Sequence, residues 1–329
     1  MRQGVDYFKI KTTNLKELII NKRSIEPGEE TQIDIKIARL PSHTWIDLPV
    51  FVFRSKVEGP SLLLTAGIHG DEINGIEIVR RLITRRMLVP ETGTIIAIPL
   101  VNVYGFINNA RNLPDGKDLN RCFPGGDRGS LAKKIAHILM SEIIPHIDYG
   151  VDFHTGGAKI SNFPQIRALL ENETNMGLAR AFGAPYLINS NLIDKSFRKA
   201  AAQVGKAILV YEGGESLRLD PYAIQEGMNG VLRLMDHLGI KKSFLQPQQS
   251  VILRERSWTR AKMSGIFNAK VESGVKVNKN QLIAVITDPY GKLRIPVKSP
   301  IDGFVIGINN MPVVNAGDAL FHIGKEINE

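Results

Sequence analysis

The stretch "LLLTAGIHGDEINGIEIVRRL", Leu62 to Leu82, decides how the chain is read. The aliphatic run in "SLLLTAG" is the continuous pattern of a strand covered on both faces. It breaks at Gly-Ile-His-Gly-Asp-Glu, after which Ile73, Ile76, Val79 and Ile83 recur at helical spacing to about Arg85. A buried strand hands over to a helix, which is the repeating unit of an α/β fold. The junction holds a histidine, His69, and a glutamate, Glu72, three residues apart.

The same alternation runs outward along the chain. "TQIDIKIARL" (Thr31 to Leu40) alternates Ile33, Ile35 and Ile37 with Gln32, Asp34 and Lys36, as a half-buried strand does. "WIDLPVFVFRS", "TIIAIPLVN" (Thr94 to Asn102), "DYGVDFH" ending at His154, "YLI" and "KAILVYE" are further strands. Ser130 caps one helix, and Asp220 followed by Pro221 opens another. "NMGLARAFGAP" and "DKSFRKAAAQVG" are helical as well. The expected fold is α/β, a largely parallel or mixed sheet flanked by helices. Sites in such sheets lie beyond the carboxyl ends of strands. His69, His154 and Glu212 each follow an apolar strand run directly.

Two regions break the pattern. Residues 103–130 are rich in Asn, Gly, Asp and Pro with little periodicity. A loop of that length in a compact domain is usually functional. After about Pro247 the chain turns to short β runs. "SGIF" (Ser264 to Phe267) matches "DGFV" (Asp302 to Val305), and "VNKNQLIAVI" (Val277 to Ile286) matches "VNAGDALFHI" (Val314 to Ile323). This tandem repeat predicts a small sandwich of two interlocking halves. Residues 1–250 are therefore read as one domain and 251–329 as a second, all-β one.

Composition narrows the function. The 329 residues are 43% hydrophobic and 23% charged, an ordinary globular balance. No run approaches the ~18 apolar residues of a membrane span. The first twenty residues have no signal-peptide core, so a cytoplasmic protein is expected. The single cysteine, Cys122, excludes an intrachain disulfide and a cysteine-rich zinc site. The net charge is +9, but the basic residues are scattered. Their densest cluster, Arg80 to Arg86, sits at a helix end where cations suit the dipole. Nucleic acid and membrane partners are not expected, and the surplus fits the steering of a small anionic substrate.

Of seven histidines, His43, His137, His146, His237 and His322 belong to no constellation. His69, Glu72 and His154 do: two imidazoles and a carboxylate at strand ends, three ligands with a position left for water, as in a catalytic metal site. Asp152 stands two before His154 on the same side of its strand. It is placed either to accept the other ring N–H of that ligand or to face solvent. In "NNARNLPDGKDLNRCFPG", Arg111, Asn120 and Arg121 supply donors for an oxyanion and a carboxylate. Glu212 in "LVYEGGE" is the candidate proton carrier, with Glu215 as the alternative.

Together these residues resemble the succinylglutamate desuccinylase/aspartoacylase family of zinc carboxypeptidase-like deacylases. "GIHGDE" and "DFHTGG" are similar to its zinc motifs, implying His69, Glu72 and His154 as ligands of one Zn²⁺ per chain. "DLNRCFPG" resembles its Asn-Arg motif, implying that Asn120 and Arg121 hold a substrate carboxylate, with Arg111 upstream polarising the carbonyl. "VYEGGE" resembles the strand end carrying its catalytic glutamate, implying Glu212. The resemblance implies a zinc carboxypeptidase-like domain and a smaller C-terminal β domain, which here also resembles a lipoyl/biotinyl sandwich. Lys292 lacks the flanking pattern of a carrier lysine, so no lipoyl or biotin is expected.

The expected activity is hydrolysis of the amide bond of a small anionic N-acyl amino acid, or related N-acylated amine, by metal-activated water. A zinc carboxypeptidase acting on peptides and a non-catalytic metal-binding scaffold are the rivals. Self-association of the chain is compatible with the sequence.

Overall fold

The structure is a computed structural model describing residues 16–326 except 41, 158 and 247. Residues 1–15, most of the segment read above for a signal, lie outside the described residues. The strands that frame the site are β1 Glu30–Arg39, β2 Trp45–Arg54, β3 Ser61–Ala66, β4 Thr94–Ile98, β5 Tyr149–Gly156, β6 Ile160–Ala168, β7 Tyr186–Asn189 and β8 Ala207–Glu215. They lie in the order β7-β6-β8-β5-β3-β4-β2-β1. The centre is parallel, with β8 on β5, β5 on β3 and β3 on β4, and β6 runs antiparallel to β8. The sheet is thus mixed, and helices flank it.

The helices are α1 Ile73–Thr84, α2 Val103–Ile107, α3 Leu131–Ile138, α4 Glu173–Phe182, α5 Phe197–Gln203 and α6 Pro221–His237. On one face of the sheet, Leu64, Val151, Phe153, Leu209 and Tyr211 pack with Ile78, Val79 and Leu82 of α1, Phe182 of α4 and Met228 of α6. On the other face, Leu63, Ile96, Ile98 and Ile208 pack with Ile135 of α3 and Phe197 of α5. Burying each such side chain stabilises the fold by about 1.5–3 kcal/mol. The β1 alternation is realised: Ile33, Ile35 and Ile37 are buried and their neighbours face out. Ser130 and Asp220 cap α3 and α6 through their side chains.

Local expectations fail at two places. Residues 103–130 are not all loop: they contain α2, N-capped by the Asn102 side chain, and a 3-10 turn at Leu119–Arg121. β6 was not anticipated, because its sequence "ISNFPQIRA" is polar and contains Pro164. That proline costs no ladder bond where it stands. β6 pairs with a C-terminal strand at residues 160–162 and with β7 at 165–168, so Pro164 falls where the partner changes. The start of α1 has no side-chain cap and no acidic residue in its first turn. Glu72 occupies the N-cap position.

The C-terminal strands are β9 Val251–Arg260, β10 Gly265–Ala269, β11 Lys276–Val277, β12 Leu282–Thr287, β13 Arg294–Lys298, β14 Gly303–Asn309, β15 Val313–Val314 and β16 Ala319–Glu326. The two repeats interlock: β15 of the second pairs with β10 of the first, and β11 of the first with β14 of the second. β13-β12-β10-β15 form a separate four-stranded sheet. Phe267, Ile283 and Ile286 of that sheet pack on Val305, Leu320 and Phe321. β9 joins both parts of the chain, parallel to β7 at its start and antiparallel to β16 beyond. With β14 also on β6, strands β6-β7-β9-β16-β14 close into a ring. The C-terminal strands are therefore sewn to the sheet beside the site.

Candidate active site

The carboxyl ends of β3, β5 and β8 open into one cleft of about 320 Å³. His69 follows β3, Glu72 precedes the first turn of α1, and His154 lies in β5. All three are buried. His69 Nδ1 is 2.7 Å from Glu72 Oε1, and His154 Nδ1 is 2.8 Å from Glu72 Oε2. The two Nδ1 atoms face each other at 3.3 Å. One ligand atom from each residue lies within 4.8 Å of the others, and among the described residues this is the group able to hold a metal.

The outer ring nitrogens are fixed by carboxylates. His154 Nε2 is 2.8 Å from Asp152 Oδ2, and Asp152 Oδ1 accepts from Thr65 Oγ1 at 2.9 Å. Of the two readings of Asp152, the buried partner of His154 is the observed one. His69 Nε2 is 3.2 Å from Asp118 Oδ1. A ring held by its outer nitrogen turns its other lone pair inward, the arrangement metal-ligating histidines adopt.

The donor set fits a cation. Two ligands of a tetrahedral ion, each about 2.1 Å from it, stand about 3.4 Å apart. The 3.3 Å between the facing Nδ1 atoms matches that. Electrostatics agree. Burial alone would raise the Glu72 pKa, but His69 and His154 hold it well below the usual range. Burial would lower the His154 pKa, yet Asp152 and Glu72 drive it well above its ordinary value. The cluster attracts positive charge between its nitrogens, from a proton or from a metal.

The residues expected in the loop reach the same cleft. Arg111 donates to Glu72 Oε1 from Nη1 at 3.1 Å and to Asp118 Oδ2 from Nη2 at 3.1 Å. Asp118 also accepts from the Asn120 backbone N–H at 2.8 Å. Its carboxyl is held well below its ordinary pKa, with burial opposing and His69 and Arg111 outweighing it. Asn120 Oδ1 accepts from Phe197 N at 2.9 Å, which leaves its amide N–H groups for the cleft. Arg121 is exposed at the rim, one Nη1 bond to Asn120 O steadying it.

Glu212 lines the cleft too, in parallel register with His154 on the neighbouring strand. Arg167 Nη1 lies 2.9 Å from its Oε1, and Asn162 Nδ2 donates to Oε2. Glu215 is spent elsewhere, its Oε2 accepting from Asn310 Nδ2 at 2.7 Å. Between them Gly214 adopts φ +76°, which glycine tolerates without strain. A Cβ there would meet Asn74 Nδ2 at 2.3 Å. The buried Asn74 amide donates to Gly213 O and Glu215 O, and its Oδ1 accepts from Asp220 N, tying this turn to α1 and α6.

Sequence reasoning missed Asp118, Asn162, Arg167, Arg198 and Trp258, all but Asp118 lining the cleft. Asp118 had a signal, an Asx residue two before Asn120 in a motif already singled out. Asn162 and Arg167 had none, because they stand in a polar segment interrupted by Pro164. Arg198 donates to the carbonyls of Arg167, Ser190 and Asn191. Burial lowers its pKa to about 10. Trp258, from β9, stacks flat on His322 with ring centres 4.2 Å apart.

A mixed sheet carrying a His-Glu-His cluster at its strand ends, with arginines over it, defines a metal-activated α/β hydrolase. Comparison makes that specific. Residues 58–238, more than half of the chain, match the succinylglutamate desuccinylase/aspartoacylase catalytic domain, and the chain belongs to that family. It is 30% identical to an N-alpha-acetyl-L-2,4-diaminobutyric acid deacetylase from Halomonas elongata, over 85% of this chain and 86% of that one. A crystal structure of a succinylglutamate desuccinylase/aspartoacylase from Rhodobacter sphaeroides superposes with TM-score 0.79 at 26% identity, covering 92% and 96% of the two chains. The product-bound ectoine utilization protein EutE (DoeB) of Ruegeria pomeroyi shares the fold, with TM-score 0.80 at 24% identity over 91% and 96%. The chain is an amidohydrolase that uses a metal to cleave N-acylated amino acids or amines.

Proposed function

We propose that the enzyme is a zinc-dependent deacylase of a small N-acyl amino acid, holding one Zn²⁺ on His69, Glu72 and His154. The observation carrying this reading is the pair of Nδ1 atoms facing each other at 3.3 Å across the Glu72 carboxylate. Two imidazoles and one carboxylate are a common donor set of catalytic zinc, and leave a position open. Bound there, zinc would lower the pKa of a coordinated water toward ~7 and polarise the substrate carbonyl.

The chain's own groups supply the rest. Glu212 takes the water's proton and returns it to the leaving nitrogen, a dual role suited to one carboxylate beside the scissile bond. Arg111 donates to the carbonyl oxygen as charge develops on it. It reaches toward the triad already, from its bonds to Glu72 and Asp118. Asn120 and Arg121 hold the substrate carboxylate, Arg121 through its fork. Asp152 and Asp118 keep the two imidazoles turned inward.

An acetyl or similarly small acyl group on an α-amino acid is the substrate favoured, from the named activity of the Halomonas elongata relative and the cleft's size. The four cleft arginines 111, 121, 167 and 198 support an anionic substrate. Residues 1–250 form the deacylase domain, and 251–329 a lipoyl/biotinyl-like sandwich that covers one side of the cleft. Trp258 and the interlocked repeats support that division. No helix of the described residues is long and apolar enough to cross a membrane, which fits the cytoplasmic setting proposed.

The test is hydrolysis of a panel of N-acetyl, N-succinyl and longer N-acyl amino acids by zinc-loaded protein, alongside Glu212→Gln. The reading expects a short-acyl substrate to be cleaved, and Glu212→Gln to keep its zinc and lose turnover. Wild-type turnover by Glu212→Gln would move the proton-carrying role to another residue.

A further inference from the structure

The Glu212 carboxylate has a donor on each oxygen, Arg167 on Oε1 and Asn162 on Oε2. Both donors come from β6. They do different work. Arg167 is a charged fork that can follow the carboxylate as it swings. The terminal torsion of a glutamate is broad, so one grip leaves the plane of the carboxylate free. The second grip, from the buried Asn162 amide, fixes that plane.

Asn162 has an unusual setting. In the ladder it stands between two glycines, Gly214 of β8 on one side and Gly307 of β14 on the other. A Cβ built on Gly307 would lie 2.9 Å from Asn162 Oδ1, 3.3 Å from His322 Cβ and 3.4 Å from Ile160 Cγ2. The first contact must open outright, and at 3.3 Å the His322 Cβ must also give by a few tenths of an ångström. What must move most is the end of the Asn162 side chain, the group that holds Glu212. β14 belongs to the C-terminal strands, so this contact carries the C-terminal part of the chain to the proposed proton carrier.

We infer that Asn162 is a positioning residue for the Glu212 carboxylate, and that Gly307 is kept side-chain-free to hold the Asn162 amide in place. The inference rests on the proposed role of Glu212. It gives the C-terminal strands a part in turnover beyond walling the cleft. Removing the amide, or crowding it, lets the carboxylate turn away from the water it must deprotonate. Misplacement of a reacting group by about 1 Å costs on the order of 10²-fold in rate.

The experiment is a double-mutant cycle on the zinc-loaded full chain, with Asn162→Ala, Gly307→Ala and the double variant. The readouts are kcat and KM on the best N-acyl amino acid, bound zinc and the unfolding midpoint. Each single change should lower kcat by about 10- to 100-fold. KM and one zinc per chain should be retained. The double variant should be no slower than the slower single, because both act through one amide. Wild-type kcat in Asn162→Ala overturns the inference, as do effects that multiply in the double variant. Failure of Gly307→Ala to fold overturns the part assigned to Gly307, and Asn162→Ala then decides the rest. Glu212→Gln separates the two layers. If it turns over normally, the role of Glu212 falls. If it is inactive while Asn162→Ala is unimpaired, only the positioning role falls.

Discussion

Asp152 holds His154 by the ring nitrogen that faces away from Glu72, Oδ2 to Nε2 at 2.8 Å, and is itself held by Thr65. The carboxylate fixes which nitrogen of His154 is free to bind a cation. Asp152→Asn keeps the size of the side chain but lets either tautomer form. Zinc affinity should fall about 10- to 100-fold. Competition with a chromophoric chelator reads this directly, and an unchanged affinity would remove Asp152 from the metal's support.

Arg111 reaches toward the metal cluster from bonds to Glu72 and Asp118. In its proposed role as oxyanion donor it would act in the transition state. Arg111→Ala should lower kcat by about 10²–10³-fold with little change in KM. Steady-state kinetics separate this from a binding role, which would raise KM and leave kcat unaltered.

His322 gives the fold a pH dependence. Burial, with Arg167 and Arg256 nearby, lowers its pKa to about 3. The unfolded ring protonates near 6.5. Between these values the unfolded chain binds the extra proton, so this stability is complete above about pH 6.5 and is lost as pH falls toward 3. His322→Gln should flatten the decline by up to about 1.4 kcal/mol per pH unit in that window. Denaturant unfolding at a series of pH values from 7 to about 4 would reveal it. Parallel curves for the two proteins would show that His322 titrates normally in the fold.

Asp220 caps α6 with two bonds, Oδ1 accepting from Tyr222 N and Ala223 N at 3.0 Å each. Its own N–H is held by Asn74. Asp220→Ala should cost about 0.5–2 kcal/mol of stability, read from the shift in denaturant midpoint. A loss well outside that range would mean that the cap also braces the Glu212 turn.

The sequence carried the site further than it carried the fold. His69, Glu72, His154, Arg111, Asn120, Arg121 and Glu212 were legible because each is a chemically distinctive side chain at an abrupt end of an apolar run or in an aperiodic loop. The structure brings all seven to one cleft. β1 was legible from its strict alternation and β3 from its continuous apolar run. β6 was not. Its outer partner changes halfway along, so Pro164 is tolerated, and its Asn162 and Arg167 face a cleft instead of solvent. With β6 went Asn162 and Arg167, the donors to Glu212. The closure of β6-β7-β9-β16-β14 was equally out of reach, since it pairs segments more than a hundred residues apart. The tandem repeat did announce two interlocking halves, because matching positions survive in both copies.

The central claim is that hydrolysis depends on one metal ion held by His69, Glu72 and His154. The most direct measurement is turnover of an N-acetyl amino acid as zinc is titrated into metal-stripped protein. Activity should rise from baseline and level off at one equivalent per chain, and His69→Ala should stay at baseline throughout. Full activity in the stripped protein, or a normal titration by His69→Ala, would contradict the account.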